Sequence, residues 1–235
     1  MSELLKILPV KKVDTQKTFN VNPVLLHPPF TQLLIAPTKS GKSVLIVNLL
    51  LNINFYKDIF DEIYFISPTV FIDPTLRAIA EDDEIIKIHE DEDLDKIDII
   101  LKDIIEKQKK EKMKSESHDA PHILVVLDDM LSYFKNNTLL DKAPAFSRHY
   151  NITFIISTQS YVGTPTKLRK NTASYILFKL YNNADLKQYY DEIGSQFKDF
   201  MEHYHEATED KYNFLYVNQR EMKLYHNFTK LLWEK

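Results

Sequence analysis

A chain of 235 residues with 44% hydrophobic content can fill one main core, and no run reaches the roughly 18 apolar residues that cross a bilayer. Its formal net charge of -4 excludes the uniformly basic body of a protein that wraps nucleic acid by itself, so any DNA contact must be local. The lack of cysteine excludes disulfide frameworks and thiolate metal sites, and with the charged, proline-bearing start of the chain it predicts a soluble intracellular protein without an integral membrane segment.

Residues 1 to 30, with Pro9, Pro23, Pro28 and Pro29, read as an irregular lead-in. The first buried-type strand, "QLLIA" (32 to 36), runs into "APTKSGKS" and then a segment of helical spacing from Val44 to Ile53. A phosphate-binding loop needs backbone N–H groups aimed at an anion, a lysine for the terminal phosphates and a hydroxyl for Mg²⁺ at the start of a helix. Pro37, Thr38, Lys39, Ser40, Gly41, Lys42, Ser43 and Val44 are therefore the expected nucleotide-binding residues, with Lys42 on the phosphates and Ser43 on the metal. Only three glycines occur in the chain, and Gly41 is one of them. Ala36 stands where such loops usually have their first glycine, and any positive φ would be harder for it.

The second strand is "IYFIS" (63 to 67), and helical spacing returns from Leu94 to Ile105 after acidic, solvated runs at 81 to 84 and 89 to 93. Residues 106 to 121, "EKQKKEKMKSESHDAP", form a charged connector, read as a solvated helix end and loop, with lysine contacts to DNA as the other reading. "HILVVLDDM" (122 to 130) is a buried strand ending in two acids. A carboxylate at the carboxyl end of a neighbouring parallel strand can hold the Mg²⁺ and the next can activate water, which makes Asp128 the expected metal residue and Asp129 the expected base. Helical spacing from Asn137 to His149 leads into "TFIIS" (153 to 157), beyond which Gln159 can bond the γ-phosphate or the lytic water.

"YVGTPTKLRKN" (161 to 171) precedes the strand "YILF" (175 to 178); Gly163 permits movement, and Lys167, Arg169 and Lys170 can touch DNA phosphates. The same stretch can instead cap a helix before the last core strand. His203 and His205 lie two apart on a helix with no partners for zinc, and are structural. "NFLYV" and "EMKLYH" flank the turn-like "NQR" and predict a terminal hairpin, while Phe214, Tyr216, Tyr225, Phe228 and Trp233 belong to core or subunit interface. Alternating strand and helix predicts a three-layer α/β fold with a mostly parallel sheet. Residues 31 to 180 form its core and 181 to 235 a helical and hairpin extension of the same domain.

"APTKSGKS", "LDDM", "RHYNI" and "STQS", in this order and spacing, resemble the genome-packaging ATPases of large DNA viruses and virophages, the poxvirus-type branch of the FtsK/HerA superfamily. The likeness continues through "YFISPT", "LRKN", "YDEIG" and "YNFLYVN" and spans roughly residues 30 to 228. It implies a RecA-like P-loop NTPase core of the additional-strand class, assembled as a homo-oligomeric ring that uses ATP and Mg²⁺ to translocate double-stranded DNA into a preformed capsid. A capsid or portal-like vertex is the implied partner, and the host-cell cytoplasm, in a virus factory, with association to the virion, the implied location. It also implies Arg148 as a finger reaching the neighbouring subunit's nucleotide, with Arg169 second in line; at 235 residues there is little room for an additional nuclease domain, which predicts a motor without DNA cutting. Three other readings stay open: a small-molecule or nucleoside kinase, a non-hydrolysing nucleotide-binding assembly factor, and a related conjugation or chromosome pump.

Overall fold

The computed structural model describes residues 19–81, 85–90, 96–114, 120–130 and 139–235. Pro9, most of the two acidic runs, part of the charged connector and the first residues of two expected helices lie outside these. Along the described chain, β1 (Thr31–Ile35), α1 (Lys42–Leu51), β2 (Glu62–Ile66), α2 (Arg77–Glu81), β3 (Ile86–His89), α3 (Ile97–Lys114) and β4 (Ile123–Leu127) come first. They are followed by α4 (Ala143–Tyr150), β5 (Ile152–Thr158), α5 (Thr166–Lys170), β6 (Ser174–Phe178), α6 (Asn183–Glu192), α7 (Phe200–Ala207), β7 (Phe214–Asn218), β8 (Lys223–His226) and β9 (Lys230–Glu234).

Nine strands join one sheet in the order β3-β2-β4-β5-β1-β6-β7-β8-β9. The first six are parallel and the last three antiparallel. Every residue of β1, β4, β5 and β6 is buried, as continuous apolar runs demand of strands covered on both faces. The period of two then sorts them: Leu33 and Ile35 point to the layer of α3, α4, α6 and α7, while Leu34 and Ala36 point to α1, α2 and residues 19–30. Strand β5 lies between β4 and β1, which is the inserted strand of the additional-strand class. The fold is the RecA-like, mostly parallel P-loop architecture expected from the sequence, and β7 with β8 forms the expected hairpin.

Sequence patterning did not reveal β3 and β9. Both are edge strands, β3 with one buried residue and β9 with none, so neither carries the continuous apolar signal. The connector after Ile105 is helical as far as Lys114: Glu106 with Lys109 and Glu111 with Lys114 pair one turn apart, and the Gln108 side chain donates to Pro121 O and Tyr150 O. His203 and His205 lie on α7, and among the described residues no group of three or more His, Asp or Glu is placed to hold a metal by itself. Of the aromatic tail, Phe214, Tyr216 and Tyr225 are buried, and Trp233 meets Phe197 edge to face at 5.4 Å. Among the described residues no helix is long and apolar enough to cross a membrane.

Candidate functional site

The loop after β1 turns sharply because it alternates ordinary and left-handed backbone. Lys39 has φ 63 and Gly41 φ 98, and Gly41 caps the start of α1. Ala36 takes no positive φ; its N–H donates to Thr158 O at 3.0 Å and simply extends the β1–β5 ladder, so alanine meets no conformational obstacle there. Lys42 shares the buried stripe of α1 with Ile46, Leu49 and Leu50, which directs its ammonium inward rather than to solvent. That ammonium faces Asp128 at 3.1 Å and also pairs with Asp129, yet it has no aligned hydrogen-bond acceptor; the Ser40 hydroxyl is likewise buried and without one.

Asp128 is 1% exposed and closes β4. Hydroxyls hold both of its oxygens: Ser67, just past β2, donates to one at 3.2 Å and Ser157 of β5 to the other. The next residue leaves the strand through a left-handed turn, Asp129 having φ 54 with its N–H donating to Ser157 Oγ at 3.2 Å. By this turn an aspartate, shorter than the glutamate common in this role, reaches Lys42. Gln159 follows β5, donates to Asp129 Oδ1 at 3.3 Å and accepts from the Thr38 hydroxyl at 3.3 Å. The phosphate loop, the acid pair and the glutamine thus meet at the carboxyl ends of three adjacent parallel strands, around a cleft of about 610 Å³, the usual ligand position in such sheets.

The profile of the family described as Poxvirus A32 protein matches residues 16–217 of the chain. The chain belongs to this family. Among curated proteins no sequence match is found. The DNA-packaging ATPase B204 from Sulfolobus Turreted Icosahedral Virus is similar in structure, with TM-score 0.58 and 18% identity over 85% of this chain and 97% of that one. Genome packaging NTPase B204 from Sulfolobus turreted icosahedral virus 2, in complex with ATP-gammaS, gives 0.57 and 18% over 85% and 97%. EssC (ATPases 2 and 3) from Geobacillus thermodenitrificans gives 0.59 and 16% over 81% and 38%.

In this member of the poxvirus A32 family the expected basic residues do not share one environment. Arg148 is exposed on α4 and, with Asp141, Lys167, Lys170 and Arg220, lines a second cleft of about 610 Å³. Thr31, the first residue of β1, also lines it, so this cleft opens at the amino ends of the strands, the opposite edge from Lys42. Arg169 is a correction. It is 8% exposed and clamped on Glu192, its Nε and Nη2 donating at 2.8 and 2.9 Å and its Nη1 donating to Thr164 O at 2.8 Å, so it is free for neither DNA nor a neighbour's nucleotide. The segment around it is also anchored: Asp185 accepts from Ser160 Oγ and Val162 N, and Gly163, whose φ is not positive, donates to Ser160 Oγ at 3.0 Å. Here the helix-capping reading is the better description.

Three cleft residues escaped the sequence reading. Asp73 accepts a hydrogen bond from Ser43; partial burial would raise its carboxyl, but the bonds from Ser43 and Thr75 outweigh it and hold the pKa below the usual carboxylate range. Asp73 lies seven residues past the end of β2, not directly after it as Asp128 follows β4, so the strand-end pattern gave no signal for it. Lys211 and Tyr212 also line the cleft, from the turn before β7. Tyr212 had one signal, the resemblance beginning at "YNFLYVN", and Lys211, just before it, had none.

Proposed function

We propose that the chain is an ATP-hydrolysing motor that translocates double-stranded viral DNA into a preformed capsid as a homo-oligomeric ring. The observation that carries the enzymatic part is the contact of Lys42, Asp128, Asp129 and Gln159 behind the phosphate loop. The printed descriptions of B204 as a DNA-packaging ATPase support the packaging role, and family membership supports carrying it over.

The oxygen donors Ser43 and Asp128, with Asp73 beside them, fit Mg²⁺, which takes one or two carboxylates together with substrate phosphates. The ion would neutralise phosphate charge. Without nucleotide, Lys42 neutralises the two aspartates; an arriving triphosphate competes for that ammonium and frees Asp129. Gln159 then orients a water, Asp129 takes its proton, the water oxygen bonds to the γ-phosphorus and the bond to the β,γ-bridging oxygen breaks. Arg148 serves a neighbour's nucleotide: β1 alone separates the two edges by about 17 Å, from five residues at roughly 3.3 Å each. Lys167 and Lys170 are the remaining candidates for DNA phosphates, and the site of action is the virus factory and a capsid or portal-like vertex.

ATP turnover with and without double-stranded DNA tests this. Stimulation by DNA is expected, with losses of at least about 100-fold in both Lys42→Ala and Asp129→Asn. Turnover indifferent to DNA, with a phosphorylated small molecule as product, would replace the motor with a kinase.

A further inference from the structure

The phosphate cleft has an annex. Gly41, Val44 and Tyr212 line both that cleft and an adjoining cavity of about 560 Å³, walled further by Phe55, Phe214 and Phe228. The phenyl rings pack edge to face, Phe228 lying 5.5 Å from Phe55 and 5.1 Å from Phe214. The polar side chains at its border are already engaged. Asn48 Nδ2 donates to Val44 O and its Oδ1 accepts from Asn52, while Asn227 Oδ1 accepts from Phe214 N and its Nδ2 donates to Asn213.

Tyr212 is the unusual member. It is 57% exposed and holds φ 73, a left-handed conformation unfavourable for an aromatic residue, and its ring edge leans on the phosphate loop at Gly41. Its ring carries the Lys211 ammonium 4.6 Å from the centroid, and core packing does not account for an exposed ring in that position.

We propose that this annex receives the base of the nucleoside triphosphate, resting on the phosphate-site reading above. The base lies against Tyr212 and the phenylalanine wall, and because each bordering amide already spends an N–H and a carbonyl lone pair within the protein, it is held by stacking more than by reading its edge. Purines, with two rings, are preferred to pyrimidines, and adenine and guanine are accepted alike.

Calorimetry on the full chain with the β,γ-methylene analogues of ATP, GTP and UTP, and with inorganic triphosphate, tests it. The ATP and GTP analogues should bind within about threefold of each other and at least about tenfold tighter than triphosphate, with UTP weaker than either. Tyr212→Ala should bring the ATP analogue close to triphosphate, costing the analogue far more than it costs triphosphate, and Tyr212→Phe should behave as the natural chain. Equal affinity for the ATP analogue and triphosphate in the natural chain overturns the base site, as does an equal loss for both ligands in Tyr212→Ala. Triphosphate that does not bind, or binds as well to Lys42→Ala, refutes instead the phosphate site itself, and the annex falls with it.

Discussion

At Gly41 the backbone has φ 98, and a methyl group added there would lie 3.1 Å from Tyr212 Cδ1. Both facts oppose any side chain, the first through intrinsic strain and the second through a neighbour that can partly yield. Gly41→Ala should therefore destabilise the protein by about 1–2 kcal/mol in denaturant unfolding. Adding Tyr212→Ala should relieve the contact but not the strain, so the pair is non-additive. Ala36 is the counterexample on the same loop. Its ladder position has no use for glycine, and Ala36→Gly should cost about 1 kcal/mol with no gain in nucleotide affinity, although it restores the residue such loops usually carry. Equal stability of Ala36→Gly and the natural chain would contradict this placement.

Among the elements, the segment joining β5 to β6 is held by two acids, Asp185 at its start and Glu192 under α5. Glu192 at the end of α6 accepts from Arg169, Gln188 and Tyr161, and these bonds, led by Arg169, hold its pKa at about 2 against an ordinary 4.5. A depressed carboxylate pKa contributes stability that is fully present above 4.5 and is lost as pH falls toward 2. Glu192→Gln leaves Arg169 buried and unpaired, and should cost on the order of 3 kcal/mol at neutral pH. The gap between variant and natural chain should close on acidification through that window; denaturant unfolding at several pH values measures it, and a gap independent of pH would mean that Glu192 is not the titrating partner. The same clamp explains why the basic string "KLRK" misled: its lysines face solvent, while its arginine is committed to an acid 23 residues away in the chain. Elements buried on both faces were legible because burial imposes continuous apolar runs. The edge strands β3 and β9 were not, since a strand with one neighbour and one wet side has no such pattern to show.

For the whole molecule, the described residues form a cleft at each end of the strands. Lys42 and its acids occupy one and Arg148 with Lys167, Lys170 and Arg220 the other, so no single copy can bring Arg148 to its own nucleotide. Stacking copies edge to edge would place the basic cleft of one against the phosphate cleft of the next. Mixing Arg148→Ala subunits with natural ones should then depress ATP turnover more steeply than the mutant fraction, by analogy with trans arginines that contribute about 10³-fold or more. A strictly proportional fall would sink the intersubunit role.

By itself the sequence determined the parallel core and the places of Lys42, Asp128, Asp129 and Gln159 at neighbouring strand ends, because a loop after one strand and acids at the end of another are local patterns whose spacing fixes where they lie. Tertiary structure alone decided which charges are spoken for and what lines the rest of the cleft. Arg169 was removed from the surface by Glu192, Asp73 was brought under Ser43, and Tyr212 was laid on Gly41, each by packing between segments far apart in the chain. Proximity of that kind leaves no periodicity in a sequence, because it arises from how the elements pack and not from any one of them.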